Sequence, residues 1–414
     1  MTNLIIIILC VLLLLAYLFD LTATKTKIPT VLLLIFLGWI CQQVTGIFNI
    51  QIPNLDTWLP LLGTIGLLLI VLEGSLELEY SKTKIPLIRN SFHVALLSII
   101  VFEFVLCSFL HFYYQFEWKI AILNTLPLAV VSSAIAIPSA KNLPHQDREF
   151  ITYESSFSDI LGVIFFNFFA VNEIITSKSI LIFFGQLIFI IPISIIATLF
   201  LSFLLNKINH HIKYIPIIIV VVLIYSVSKH YHLPSLLFVL LFGLILGNVN
   251  QFNNISFLKN IQWTHFENQI EKFKEITTET TFLVRAIFFM LFGYSIHTQD
   301  IINYHSLPWT LCIVITIFST RYILFKIIGL KNTSLLYIAP RGLITILLFL
   351  SVLDHQKISF INESVIIQVI LITAIIILFS SKKKKEIIVS SQEEIHDENV
   401  KSTTLEKANI KVDF

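Results

Sequence analysis

The sequence predicts an all-α polytopic membrane protein with about 13 transmembrane helices. Of the 414 residues, 56% are hydrophobic and only 13% are charged, and the mean hydropathy is +0.86. Apolar runs of about 17–25 residues, long enough to cross a bilayer as helices, recur along most of the chain. A soluble globular domain does not need so much apolar sequence, so that class is excluded.

The apolar runs divide the chain into a membrane domain over residues 1–380 and a polar tail over residues 381–414. The first run has no basic segment before it and no small-residue cleavage site, so we expect a membrane helix and not a cleaved signal. The tail is short and mixed in charge, and we expect a disordered cytoplasmic segment. The predicted spans are roughly 3–19, 28–48, 57–78, 85–112, 119–140, 150–172, 179–205, 212–230, 233–250, 277–297, 305–330, 333–353 and 361–380.

The charges of the loops predict how the protein is oriented in the membrane. About eighteen Lys and Arg residues fall on one side of these spans and about four on the other. Because positively charged loops stay in the cytoplasm, the N-terminus is predicted to lie outside and the C-terminus in the cytoplasm. We therefore expect a multi-pass protein of the plasma membrane.

Two predicted spans are interrupted by helix-breaking residues. The fifth contains Pro127 and then Ser132 and Ser133, and the twelfth opens with the segment 339–343, APRGL. Irregular backbone at membrane depth is tolerated where it lines a cavity. The two spans lie seven apart, and the third and tenth spans also resemble each other, as two inverted repeats with broken crossing helices require. The alternative explanation is the ordinary abundance of Gly and Pro in membrane helices.

The segment 150–166, FITYESSFSDILGVIFF, carries acidic residues inside an apolar span. Ser155 and Asp159 are four residues apart and share one helix face, while Glu154 and Ser158 share the neighbouring face. An ionisable residue inside a membrane helix is energetically costly and usually takes part in transport or a relay. Asp159 is therefore the centre of a functional hypothesis, and the alternative is a buried Asp that only fixes helix packing.

Two arginines in later spans can neutralise one of these carboxylates. Arg321 in the eleventh span and Arg341 in the twelfth stay charged, so each needs an anion or several carbonyl groups. We expect Arg321, Arg341 or both to pair with Glu154 as a structural charge pair. Asp159 is then left to bind and release a monovalent cation or a proton.

One carboxylate cannot surround a cation, because hard cations take several oxygen ligands. Oxygen donors in the third, fifth and sixth spans are predicted to complete the shell around Asp159: Glu73, Ser132, Ser133, Ser155 and Ser158. Glu73 has an alternative partner in Lys82 or Lys84, and the two adjacent serines could simply satisfy the broken backbone.

Four segments in a defined order carry a family resemblance: 68–79 (LLIVLEGSLELE), 154–166 (ESSFSDILGVIFF), 288–296 (FFMLFGYSI) and 340–350 (PRGLITILLFL). Together they resemble the monovalent cation:proton antiporters, particularly the sodium/proton exchanger branch. The resemblance implies a thirteen-helix fold of two six-helix inverted repeats, with a dimerisation domain and a moving core. It also implies a homodimer and alternating access by an elevator-like movement.

The resemblance also implies roles for single residues. By position, Asp159 matches the family's essential ion- and proton-binding aspartate, and Ser155 matches a ligand serine. Glu73 matches an acidic residue that helps to bind the cation in some members. Glu154 matches the structural glutamate that pairs with a buried arginine, for which Arg321 and Arg341 are the candidates.

Two positions depart from the family pattern. Ser158 stands where the family normally has Asn or Asp, and residues 132–133 are Ser-Ser where the exchanger branch has Thr-Asp-Pro. The potassium-efflux branch has Ser-Ser-Thr there. With one carboxylate fewer, a single titrating Asp favours the exchange of one cation for one proton without net charge movement.

The predicted function is secondary-active antiport of Na⁺ or K⁺ against H⁺. The alternatives are a cation channel or uniporter on the same fold and a sensor that does not transport. A membrane enzyme is disfavoured, because the acidic residues lie within helices and not in an interfacial cluster with His or Lys. No Gly-rich phosphate loop occurs in the sequence, so we expect no nucleotide or other cofactor and no nucleic-acid partner.

Overall fold

The computed structural model describes residues 2–26, 28–47, 55–78, 81–141, 143–207, 213–231, 233–248, 263–330 and 333–378. All regular structure in these ranges is helical. The predicted cytoplasmic tail, residues 381–414, lies outside the described residues.

The first part of the chain forms α1 (Thr2–Thr26), α2 (Thr30–Ile47), α3 (Leu55–Glu77), α4 (Ile85–Tyr114), α5 (Trp118–Ala129), α6 (Ser133–Ser139) and α7 (His145–Val171). The second part forms α8 (Ser177–Lys207), α9 (Tyr214–His230), α10 (Ser235–Gly247), α11 (Trp263–Ser295), α12 (Thr298–Ile301), α13 (Leu307–Ile328), α14 (Thr333–Leu336), α15 (Leu343–Leu350) and α16 (Glu363–Leu378). Residues 130–132 form the first break, between α5 and α6, and residues 337–342 form the second break, between α14 and α15.

The helices in the ranges given above account for the thirteen predicted spans. Eight units are long and apolar enough to span a bilayer, with α5 and α6 counted as one, and four shorter apolar helices add to them. The interrupted pair α14 and α15 is the thirteenth. The prediction of an all-α polytopic fold with two broken spans is confirmed.

Two element boundaries differ from those that the apolar pattern indicates. Helix α11 begins at Trp263, well before the tenth predicted span. Its added first turns are rich in Glu and Lys, which are strong helix formers but add nothing to an apolar signal. In the fifth span, Pro127 and Pro138 lie inside the two short helices, and the irregular backbone is the segment between them.

The helices pack into two groups. The α11 group consists of α1–α3 and α8–α11, in which α2 and α3 pack along α11 and α10 packs on α3 and α8. A side chain at Gly38 or at Gly293 would meet the backbone of the opposite helix, so α2 and α11 approach as closely as backbones allow. The α7 group consists of α4–α7 and α13–α15, with α16 joined to it by hydrogen bonds from Thr310 to Gln368 and from Arg341 to Thr373. Helix α3 provides most contacts between the groups, against α15, α6 and α7.

The two breaks meet inside the α7 group. The backbone N–H of Ser132 in the first break donates to the carbonyl of Pro340 in the second break, at 2.9 Å. Gly342 packs against the side chain of Ser132, where a larger residue would clash. The fold therefore places both irregular segments, and the α7 residues beside them, in one buried region.

Candidate functional site

At the first break, the backbone N–H groups of Val131, Ser132 and Ser133 have acceptors outside their own helices, and two of these acceptors are uncharged oxygens. Val131 donates to the hydroxyl of Ser158 on α7 at 2.9 Å. Ser132 donates to the carbonyl of Pro340, as described above. Because Val131 and Ser132 are buried and a buried N–H group without a partner is costly, each of these acceptors stabilises the break.

The third N–H group, that of Ser133, donates to the carboxylate of Asp159. The distance to Oδ2 is 3.2 Å, and the Ser133 hydroxyl donates to the same oxygen. Ser133 is the first residue of α6, so the carboxylate faces the positive end of that helix. Asp159 is buried, and its other oxygen, Oδ1, has no hydrogen-bond partner among the described residues.

Two further predicted ligands take different positions. The hydroxyl of Ser132 is buried and, like Asp159 Oδ1, finds no partner in the described part of the chain. The hydroxyl of Ser155 donates to the carbonyl of Ile151 within α7, at 2.7 Å. The hydroxyl of Ser155 is thus bonded within its own helix and makes no hydrogen bond with Asp159.

Glu154 lies on the α7 face that neighbours the face of Asp159, and it is paired with the side chain of an arginine. Arg321 of α13 donates from both terminal nitrogens to the two carboxylate oxygens, with Nη2 to Oε2 at 2.8 Å. The same guanidinium donates to the carbonyl of Leu335 and stacks on the ring of Phe325. Both charged groups are almost fully buried. The bidentate geometry makes this a fixed, mutually neutralised pair.

Arg341 donates to backbone carbonyls, whereas Arg321 donates mainly to a carboxylate. Its guanidinium donates to the carbonyls of Leu128 at 2.6 Å, Ala129 at 3.1 Å and Ala339 at 3.0 Å. Leu128 and Ala129 are the last residues of α5, where unpaired carbonyls and the negative helix end favour a cation. Arg341 makes no ion pair with Glu154, so of the two candidate arginines the structure brings only Arg321 to that carboxylate.

A cavity of about 500 Å³ leads towards this region from the ends of α1 and α3. Ser133 forms part of its wall, whereas Asp159 lies behind Ser133 and does not line the cavity. Its charged residues are four carboxylates and two bases: Asp20, Glu73, Glu77, Glu279, Lys141 and Arg285. The structure therefore places Glu73 in the approach to Asp159. Lys84, an alternative partner predicted for Glu73, pairs with Glu149 at 2.5 Å.

The sequence matches the profile of the sodium/hydrogen exchanger transmembrane family over residues 10–381. The chain belongs to this family. Its members are cation/proton antiporters and not enzymes, and this chain is accordingly a multi-pass membrane protein of that antiporter class.

Solved structures show the same fold. The sodium proton antiporter MjNhaP1 from Methanocaldococcus jannaschii, in a structure at pH 8, is 20% identical to this chain, with a TM-score of 0.63 over 91% of this chain and 93% of that one. A second structure of MjNhaP1, from an electron-microscopy map, is 20% identical, with a TM-score of 0.66 over 92% and 96% of the two chains. No curated protein matches the chain.

Sequence reasoning missed two features that the family fold assembles. The threonines Thr345 and Thr373 satisfy the N–H groups of Gly342 and Arg341 in the second break. No sequence signal marks them, because threonine is common in membrane helices. Arg285 and the other cavity charges were visible as charges near span ends, but only the packing of α1, α3, α6 and α11 brings them together.

One membrane-depth carboxylate stays outside this site. Glu103 of α4 contacts the hydroxyl of Thr125 at 2.7 Å and the thiol of Cys107 at 3.2 Å. Its partners lie on α4 and α5, and neither belongs to a break. Glu103 therefore offers a natural control for experiments on Asp159.

Proposed function

We propose that this protein exchanges Na⁺ or K⁺ for a proton across the plasma membrane, and that both substrates compete for the carboxylate of Asp159. The exchange moves one cation for one proton and is electroneutral. The N-terminus lies outside and the tail over 381–414 lies in the cytoplasm, as the loop charges predict, and two copies associate, as the family resemblance implies.

The observation that carries the proposal is the half-satisfied carboxylate of Asp159. Oδ2 is held by the N–H and hydroxyl of Ser133, and Oδ1 has no partner among the described residues. A buried acceptor without a partner is costly, and either a proton or a bare cation would relieve that cost at the same oxygen. The unpartnered hydroxyl of Ser132 is a further oxygen of the kind that a hard cation binds.

The charges of the buried region support electroneutral exchange. Among the described residues, the carboxylates of Glu154 and Asp159 are buried beside the two breaks, and Oε1 of Glu103 is buried away from them and lacks a described partner. Arg321 neutralises Glu154, and Arg341 holds carbonyl groups and keeps its charge. Beside the breaks, one carboxylate therefore remains to alternate between a proton and a monovalent cation, so each cycle moves one charge in each direction.

The cavity and the two helix groups support alternating access. The excess of carboxylates in the cavity, including Glu73, raises the local concentration of cations ahead of Ser133. Asp159 and both breaks belong to the α7 group, whose contact with the α11 group is made mainly through α3. A movement of the α7 group along α3 would carry the intact site from one side of the membrane to the other.

The proposal is tested with purified protein in proteoliposomes that contain a pH-sensitive dye. Na⁺, K⁺ and Li⁺ are added in turn to wild type, to Asp159→Asn and to the control Glu103→Gln. We expect wild type and Glu103→Gln to exchange one of these cations for protons and Asp159→Asn to be silent. Exchange that persists in Asp159→Asn, or that is lost equally in both variants, would contradict the assignment of Asp159.

A second measurement separates antiport from its rivals. The rate of proton movement is recorded while a membrane potential is imposed across the vesicles. Electroneutral exchange is unaffected by the potential, whereas unequal exchange responds to it. A cation current without proton movement would establish the channel or uniporter reading instead, and a folded protein that moves neither ion would support the sensor reading.

A further inference from the structure

A second cleft, remote from the first cavity, lies between α7 and α8 at the other end of α7. Its volume is about 290 Å³. Its remaining wall is formed by Lys229 at the end of α9 and by Leu233 and Pro234 just before α10, and both helices belong to the α11 group. The cleft therefore lies on the boundary between the two helix groups, at the membrane face that the loop charges make poor in lysine.

Three polar side chains in this cleft have no partner among the described residues. The ammonium of Lys229, in the last turn of α9, makes no ion pair with any of them, and the amides of Asn167 and Gln186 form no hydrogen bond with them. The Asn172 amide donates to the Phe168 carbonyl at 2.8 Å. No Asp or Glu is among the described residues that line the cleft. Its charge is therefore positive and its free donors point to an anionic ligand.

The depth of these groups indicates where the ligand comes from. Gln186 lies seven residues beyond Ser179 along α8. At the rise of an α-helix, Gln186 is therefore about 10 Å deeper in the membrane than Ser179. An amide without partners at that depth is costly in the apolar part of a bilayer. The lower walls of the cleft are the rings of Phe168 and Phe183, and the neighbouring α8 side chains Phe184 and Ile188 are exposed as lipid-facing residues are.

We propose that this cleft binds an anionic phospholipid. The phosphate pairs with Lys229 at headgroup level, the amides of Asn167 and Gln186 donate to the ester oxygens below it, and the acyl chains lie along Phe168 and Phe183. A free anion from water would meet Lys229 but would leave the apolar walls and the deeper amides without a partner. Because the cleft joins α7 to α8, the bound lipid bridges the two helix groups and stabilises this arrangement of them.

The test uses the full-length protein in a neutral detergent and measures its melting temperature as phosphatidylglycerol or phosphatidylcholine is added. Phosphatidylglycerol is expected to raise the melting temperature of wild type with saturation, and phosphatidylcholine to have a much smaller effect. Lys229→Gln should lose most of the phosphatidylglycerol shift. Lys178→Gln should keep it, since Lys178 is exposed one residue before Ser179 and lies outside the cleft.

Three results would overturn the proposal. They are equal shifts in Lys229→Gln and wild type, no preference of wild type for phosphatidylglycerol, and the same shift with inorganic phosphate alone, which would identify a water-borne anion. If Lys229→Gln does not fold, Gln186→Leu replaces it, because a leucine beside the apolar walls of the cleft at that depth is favourable. That variant should weaken the phosphatidylglycerol shift, and an undiminished shift would count against the site.

Discussion

The two breaks face each other across one hydrogen bond, yet their free backbone groups are satisfied by different kinds of partner. The N–H groups of the second break donate to the hydroxyls of Thr373 and Thr345. The carbonyls at the end of α5 accept from Arg341, which keeps its charge. In the first break, by contrast, the N–H of Ser133 donates to Asp159, a group that can gain or lose a proton.

The difference shows how one region can be both rigid and responsive. A break in a membrane helix exposes N–H and C=O groups that must be satisfied for the fold to persist. The hydroxyls at the second break and the guanidinium at the α5 carbonyls are partners that neither gain nor lose an ion, and in the proposed exchange they would hold the geometry. In the proposed exchange, the carboxylate at the first break would change its bound ion while the remaining partners stay the same. Four predictions test this division, each by thermal melting in detergent.

Replacing Arg341 by Ala should have the largest effect on stability. It would leave the carbonyls of Leu128, Ala129 and Ala339 without donors in a buried region. At about 1–3 kcal/mol for each unsatisfied group, the loss should be at least about 3 kcal/mol. Arg285→Ala is the control, because Arg285 is only half-buried at the cavity wall. Similar melting of both variants would show that the α5 carbonyls do not depend on Arg341.

Replacing either partner of the Glu154–Arg321 pair should have the next largest effect. Glu154→Gln or Arg321→Gln leaves one buried charge uncompensated, at a cost of about 3–5 kcal/mol. The double variant should be more stable than the sum of the single losses predicts, since it leaves no unpaired charge. Strictly additive losses in the double-mutant cycle would refute the pairing.

Ser158→Ala should have a moderate effect, because it removes the acceptor for the Val131 N–H group. One unsatisfied buried donor predicts a loss of about 1–3 kcal/mol. Ser156→Ala is the matched control on the same helix, since the buried Ser156 accepts no hydrogen bond from a described residue. If the two variants melt together, Ser158 does not support the first break and would have to be considered as an ion ligand alone.

Asp159→Asn should have the smallest effect on stability and the most complete effect on exchange. The amide oxygen can still accept from the N–H and hydroxyl of Ser133, so the melting should change by no more than about 1 kcal/mol. The proton site is lost because an amide does not ionise. A large drop in melting temperature would assign Asp159 to the same structural class as Glu154.

Much of the site was predictable from residue type. The burial of charge in an apolar span marked Glu154 and Asp159, and the need of an arginine for an anion marked Arg321 and Arg341. The sequence could not choose between the two arginines for Glu154, because the distance depends on how α7, α13 and the second break pack. It also could not show that the Ser155 hydroxyl bonds to Ile151 while Ser158 accepts from Val131, since both serines share α7 with Asp159.

The helical membrane fold and its two interruptions follow from local hydropathy and from residues that cannot continue a helix, so both could be predicted from the sequence. The partner of each free backbone group depends on how the helices pack. The packing brings the N–H group of Ser132 to the carbonyl of Pro340 and places Ser133 between the acidic cavity and Asp159. It also brings the guanidinium of Arg341 to the carbonyls at the end of α5. Hydrogen bonds between residues more than 200 positions apart depend on the packing of whole helices, which no local pattern encodes.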